Sequence, residues 1–135
     1  MKPELCRILC DRYPALFSLR HDPQYPIAFK CELMEGIECR DGWFDLIDKL
    51  CREIEARIEA GAAPVLFRQI KQKMGKLQFR VGVTTVDMRT LLDAAQDKSL
   101  GICEFCGQPG ILCDVSGRIV ACEQHRRCPP MESLL

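Results

Sequence analysis

Four residues near the C-terminus have the types and spacing of a metal site. Cys103 and Cys106 stand two residues apart, and Cys122 and His125 repeat that spacing after fifteen intervening residues. A C-x-x-C turn lets two thiolates face one ion while nearby backbone N–H groups soften their charge, and a second such turn closes a tetrahedral shell of three sulfurs and one nitrogen. The predicted centre is a zinc ribbon with structural Zn2+, because four protein donors leave no open position for catalysis. A thioredoxin-like redox motif shares the C-x-x-C spacing but heads a helix; here Gly107, Pro109 and Gly110 follow, and a glycine with positive φ suits a chain folding under an ion. Cys113 and Cys128 are close enough in sequence to compete for a place, so the fourth ligand stays open at this level.

The elements that must position these ligands follow from periodicity. Residues 110–121 read as a hairpin, with Ile111 and Leu112 on one arm, Ser116-Gly117 at the bend and Ile119 to Ala121 on the other. The strongest helix is 42–60, with Asp41 as its N-cap and an apolar stripe of Trp43, Ile47, Leu50, Ile54 and Ile58, ended by Gly61 and Pro64. A shorter helix over 3–12 begins at Pro3 and stops before Pro14. Phe67, Ile70 and Met74 share a helical face, so a helix is expected over 65–74, ended by Gly75. Leu77, Phe79, Val81 and Val83 then alternate as a strand over 77–83. Thr84 or Thr85 caps a last helix carrying Met88, Leu91, Leu92 and Ala95.

A lone strand and a lone hairpin are each unstable, and pairing them would remove both deficits. The expected fold is therefore α+β: helices 42–60 and 65–74 packed on a small antiparallel sheet, with the C-terminal zinc ribbon integrated into that sheet. The expected organisation is a core over 1–100, a ribbon over 101–128 and a tail over 129–135.

With 47% apolar and 28% charged residues the chain has the composition of a globular protein, and its formal net charge of zero argues against coating nucleic acid by bulk electrostatics. The charges are unevenly spread: residues 61–100 carry seven basic and three acidic side chains, residues 1–60 nine and twelve. No apolar run reaches membrane-spanning length, so a cytoplasmic protein without a membrane partner is expected. The ten cysteines then read as reduced thiols, with Cys6, Cys10, Cys31, Cys39 and Cys51 as small buried hydrophobes.

Two charged groups are candidate partner-binding surfaces. Glu35, Glu38, Asp41, Asp45 and Asp48, with Glu32, form an acidic run. Arg68, Lys71, Lys73, Lys76 and Arg80 form a basic one. The acids could imitate phosphate or hold a divalent ion for phosphodiester cleavage, but a solvated helix face is the commoner use of such a run. His21-Asp22 reads as a surface turn with no nucleophile beside it.

Three stretches taken in order, CRDGWFDLIDKLC at 39–51, QIKQKMGKLQFRV at 69–81 and CEFCGQPG with the later C-x-x-H at 103–125, resemble a group of small bacteriophage and prophage proteins. Met74 and Lys76 stand where that group has Phe and Gly in a Lys-x-Lys-Phe-Gly-Gly-Leu run. The resemblance implies phage provenance and carries no reaction. The expected function is that of a non-enzymatic, zinc-stabilised binding protein acting stoichiometrically on a host or phage protein complex, for example by inhibiting a bacterial defence system. A zinc-ribbon nucleic-acid regulator using the basic residues and Arg118 is the alternative reading, and a divalent-metal nuclease a further one.

Overall fold

The computed structural model describes residues 1–18, 36–114 and 117–126. Helix α1 spans Pro3–Arg12, with proline and Glu4 in its first turn, and buries Cys6, Leu9 and Cys10. Strand β1 is the short Ile37–Glu38. A 3-10 turn over Asp41–Trp43 runs into helix α2, Phe44–Glu59. Strands β2 (Phe67–Lys73) and β3 (Lys76–Val81) follow, then helix α3 (Val86–Ser99) and the strands β4 (Ile111–Asp114) and β5 (Arg118–Ala121). The fold class is α+β, as the periodicity predicts.

Two expectations are corrected. Residues 67–73 form a strand and not a helix: β2 pairs antiparallel with β3 and parallel with β1. A bulge between Phe67 and Gln69 adds one residue, so Phe67 and Ile70 point to the same face at a helix-like spacing of three. The turn is two residues, Met74 at φ 55 and Gly75 at φ 85, the pair of positive values a tight hairpin requires. The second helix of the core is accordingly α3. Its N-cap is Thr85, whose hydroxyl accepts from the Met88 amide.

The strand over 76–81 and the C-terminal hairpin also do not pair. They belong to separate sheets, ordered β1-β2-β3 and β4-β5. The free edge of β3 is covered instead by α3: the Leu77 amide donates to Ser99 Oγ at 3.0 Å and the Phe79 amide to Gln96 Oε1 at 3.0 Å. On the other side of the sheet the N-terminal amine donates to the carbonyls of Ile37 and Cys39. These contacts satisfy backbone groups that a sheet edge would otherwise leave open.

One continuous core joins α1, α2, α3, the three-stranded sheet and Val120 of β5. The rings of Phe17, Phe67 and Phe79 pack in tilted pairs within it, with centroids 5.3 and 5.7 Å apart. The α2 stripe is buried at Trp43, Ile47, Leu50 and Ile54 as its spacing requires, with Ile58 partly covered. Among the described cysteines outside the candidate centre, Cys6, Cys39 and Cys51 are buried free thiols, and Cys113 is buried in β4. Cys10 departs from the expectation of reduced thiols, being disulfide-bonded.

Asp41 does not cap α2; its carboxylate accepts from the Lys2 amide at 2.8 Å and so ties the start of α1 to the 3-10 turn. Asp48 is not on the exposed face of α2 either. It is buried, accepting from Tyr13 Oη at 2.6 Å, Arg12 Nη1 at 3.0 Å and Arg52 Nη2 at 2.8 Å. Burial alone would raise its pKa, but the Tyr13 and Arg12 hydrogen bonds and the two guanidinium charges outweigh that and hold it below the ordinary value.

Asp48→Ala removes the charged acceptor shared by Tyr13, Arg12 and Arg52 and should lower the unfolding free energy by about 2 kcal/mol at neutral pH. The folded-state pKa lies below the unfolded value of 3.8, so this stabilisation is complete above 3.8 and is lost as pH falls through the folded value. In urea melts the gap between wild type and variant should therefore be widest near neutrality and narrow at the acid end.

Candidate metal centre

The two ligand turns are built alike. In the first, the Gly107 amide donates to the Cys103 carbonyl at 2.9 Å, and Gly107 takes φ 82 to let the chain pass under the sulfurs. In the second, the His125 and Arg126 amides donate to the Cys122 carbonyl at 3.1 and 2.9 Å. The Glu104 amide donates to the Val120 carbonyl at 2.9 Å, clasping the first turn to the end of β5. Gly110 allows the close approach there, since a Cβ would lie 3.0 Å from both Cys103 N and Ala121 C.

These turns bring Cys103, Cys106, Cys122 and His125 into one group whose ligand atoms all lie within 4.8 Å of one another. Metal–sulfur bonds of about 2.3 Å place tetrahedral sulfurs roughly 3.8 Å apart. Cys106 Sγ and Cys122 Sγ are 3.7 Å apart, and Cys103 Sγ is 3.7 Å from His125 Nδ1. A third edge, Cys122 Sγ to His125 Nδ1, is 3.0 Å, the separation of a direct hydrogen bond. The group can thus hold a metal ion through Nδ1 of His125, and three sulfurs with one imidazole suit zinc. Burial would raise the Cys122 thiol, but hydrogen bonds from His125, Cys106 and nearby backbone amides bring it down to about 6.

Cys113 is not in this group. Its thiol lies in β4 against the Ile111 carbonyl at 3.7 Å. Cys128 lies outside the described residues. Burial pushes the Cys39 thiol up to about 12 and raises the Cys51 thiol as well, which disfavours their thiolates.

Sequence reasoning does not single out the residues that seat this centre on the core. Glu104, between the first two ligands, points away from the sulfurs and is 1% exposed. Its carboxylate accepts from the Arg40 amide at 3.3 Å, Arg40 Nη1 at 3.4 Å and Gln72 Nε2 at 3.3 Å. Gln72 also donates to the Arg118 carbonyl at 2.9 Å, bridging β2 to β5. The Gly42 amide donates to the Glu104 carbonyl at 2.7 Å and the Trp43 indole to the Ile102 carbonyl at 2.9 Å. Phe105 stacks on His125, with centroids 5.3 Å apart and planes 10° from parallel, and the Arg40 guanidinium lies 4.7 Å from the same ring. The Gly-Trp pair at 42–43 is the one sequence signal for this seat.

The predicted charged surfaces fare differently. Lys71 pairs with Gln78, Gln69 with Arg80 and Lys73 with Lys76 across β2 and β3, all on the sheet face opposite Ile70 and Phe79. Lys71, Lys73, Lys76 and Arg80 are therefore brought together, with Arg68 exposed at the bulge. The acidic group is dispersed. Asp48 is buried, Asp41 is tied to Lys2, Asp45 is exposed on α2, and Glu38 lies beside Lys71 on β1 and accepts from Gln69. Glu32 and Glu35 lie outside the described residues, as does His21.

The chain matches no protein-family model, no curated protein and no solved structure. Among the described residues no helix is long and apolar enough to cross a membrane.

One equivalent of Co2+ should bind with the visible absorption of a tetrahedral three-sulfur, one-nitrogen site, and excess Zn2+ should bleach it. Because metal binding there contributes on the order of 10 kcal/mol to folding, Cys106→Ser or a strong chelator should collapse the module, with loss of ellipticity and melting temperature. A melting curve unchanged by both would refute the structural role.

At Gly42 a Cβ would sit 2.2 Å from the Cys103 carbonyl oxygen and 2.6 Å from the Glu104 backbone. Gly42→Ala must therefore push the first ligand turn off its seat, costing about 2 kcal/mol or more in chemical denaturation. Ala substitution at exposed Gly61, where nothing lies within 4 Å, is the control for backbone strain without a clash.

Proposed function

We propose that the protein is a phage-encoded, zinc-stabilised binding protein that acts stoichiometrically on an acidic surface of a protein complex in the bacterial cytoplasm, inhibition of a defence system being one example. The carrying observation is the register of β2 and β3, which gathers Lys71, Lys73, Lys76 and Arg80 on one solvent-facing sheet surface. Four like charges on a rigid, edge-protected sheet steer an oppositely charged partner and set its orientation. Glu38 and the Lys76–Asp97 ion pair at 2.8 Å temper that charge without reversing it.

A protein partner is favoured over nucleic acid because the side chains paired on this face are Gln69, Lys71, Lys73, Lys76, Gln78 and Arg80, with no aromatic ring on which a base could stack. Binding is favoured over catalysis because three sulfurs and one imidazole fill a tetrahedral zinc shell. The zinc holds the ligand turns, and through Glu104 the groups beside β2, in place.

The test is affinity purification of the tagged protein from bacterial cells, with and without nuclease, alongside the Lys71→Glu/Lys73→Glu variant. A specific complex recovered after nuclease and reduced at least about tenfold by charge reversal is the expected result. Loss of every partner on nuclease treatment would favour a nucleic-acid regulator, and undiminished capture by the variant would remove the sheet face from the contact.

A further inference from the structure

The four candidate ligands are unequally held. Cys103 and Cys122 are buried, whereas Cys106 is exposed and His125 half-exposed, so solvent reaches the centre on the side of Cys106 and His125. His125 lies beyond the end of β5 at Ala121, with its amide donating to the Cys122 carbonyl at 3.1 Å. The side-chain torsions of a histidine on such a turn must still be fixed before Nδ1 can face the sulfurs. That ordering cost falls on metal binding unless the fold has already met it.

A chain of contacts from the core meets it. The Phe105 ring lies on the His125 imidazole, with planes 10° from parallel and centroids 5.3 Å apart, and the Arg40 guanidinium covers the Phe105 ring at 4.7 Å from its centroid. Arg40 is held in turn by the buried Glu104 carboxylate, which accepts from its Nη1 at 3.4 Å and from its amide at 3.3 Å. The ion pair that neutralises Arg40 therefore also keeps its guanidinium over Phe105. Because Phe105 belongs to the first ligand turn and His125 to the second, the ring stack joins the two turns independently of any ion.

We infer that Phe105 and Arg40 are positioning residues for the metal: they orient the His125 imidazole with Nδ1 toward the sulfurs, and so set how tightly and how long the centre keeps its ion. The inference rests on the reading that Cys103, Cys106, Cys122 and His125 hold zinc. A ligating imidazole is ordinarily oriented by a partner outside the coordination shell, whose loss costs about 10- to 100-fold in affinity. In this centre a flat ring lies on the imidazole and takes that part.

The test compares Phe105→Leu, which stays apolar but removes the flat ring, with the rescue variant Phe105→Tyr, each as the full chain loaded with Co2+ or Zn2+. Phe105→Leu should weaken Zn2+ binding at least about tenfold, release Zn2+ to a chromogenic chelator correspondingly faster, and shift the Co2+ ligand-field bands as a looser fourth ligand does. Phe105→Tyr should restore affinity and release to within about twofold and keep the wild-type bands. Arg40→Lys leaves a cation for Glu104 but no planar guanidinium, should weaken binding by about threefold, and carries the test if Phe105→Leu does not fold. Ile119→Ala trims apolar packing in the same module and should leave the bands unchanged, which separates ligand orientation from a general loss of structure. Wild-type behaviour of both Phe105→Leu and Arg40→Lys, a Phe105→Tyr as impaired as Phe105→Leu, or an equal band shift in Ile119→Ala would overturn the positioning role and leave the metal centre standing. Failure of the wild type to bind either ion would remove the metal centre and the inference together, and four-sulfur bands in the wild type would remove His125 from the centre and overturn the inference.

Discussion

The contact between the start of α2 and the first ligand turn is the constraint on which the rest of the molecule depends. Gly42 and Trp43 meet the backbone of Ile102 to Glu104 through two hydrogen bonds of 2.7 and 2.9 Å, at a distance that excludes any Cβ at position 42. The same turn presents Cys103 and Cys106 to the candidate metal site on one side and the Glu104 carboxylate to Arg40 and Gln72 on the other. Ligand geometry and core packing are thereby coupled through a few backbone atoms. A metal-binding module this small has little core of its own, consisting of Cys103, Ala121 and Cys122 with Phe105 and Ile119 packed against them. Its position comes from the larger domain.

Charge is used in two ways. Glu104 and Asp48 are carboxylates withdrawn from water, each compensated by hydrogen bonds and guanidinium groups, and each linking segments distant in sequence. Burying a carboxylate without such partners would be strongly unfavourable, so both positions specify the arrangement of the elements around them. The basic residues of β2 and β3 stay in solvent. What looks in sequence like an acidic segment facing a basic one becomes an acidic segment partly consumed by structure beside a basic sheet face left open.

The strand over 67–73 shows why periodicity can mislead. A bulge places Phe67 and Ile70 three residues apart on one face, and Met74 completes a helical-looking triplet although it sits in the turn. A hairpin turn written Met-Gly lacks the Asn-Gly or Asp-Gly signature that announces such a turn. Gln72 adds to the ambiguity, being a polar residue on the inward face whose amide is needed by Glu104 and the Arg118 carbonyl. Regular elements with uninterrupted apolar stripes, such as α2 and α3, carry no such conflict.

By itself the sequence determined the features that rest on local spacing: α1, α2 and α3, the C-terminal hairpin, and the candidate ligand positions at 103, 106, 122 and 125, with the fourth place still contested by Cys113 and Cys128. Each follows from steric or coordination rules acting over a few residues, and the two ligand pairs meet because a short hairpin joins them. Tertiary structure alone decided that residues 67–73 are a strand, that α3 and not a neighbouring strand covers the edge of β3, and that Asp48 and Glu104 are internal. Those outcomes depend on contacts between residues as much as 64 positions apart, as between Arg40 and Glu104, and burial of a charged side chain follows from the partners that surround it. The ligand spacing implies the metal centre, but its seat exists only because the fold brings Gly42 against Glu104.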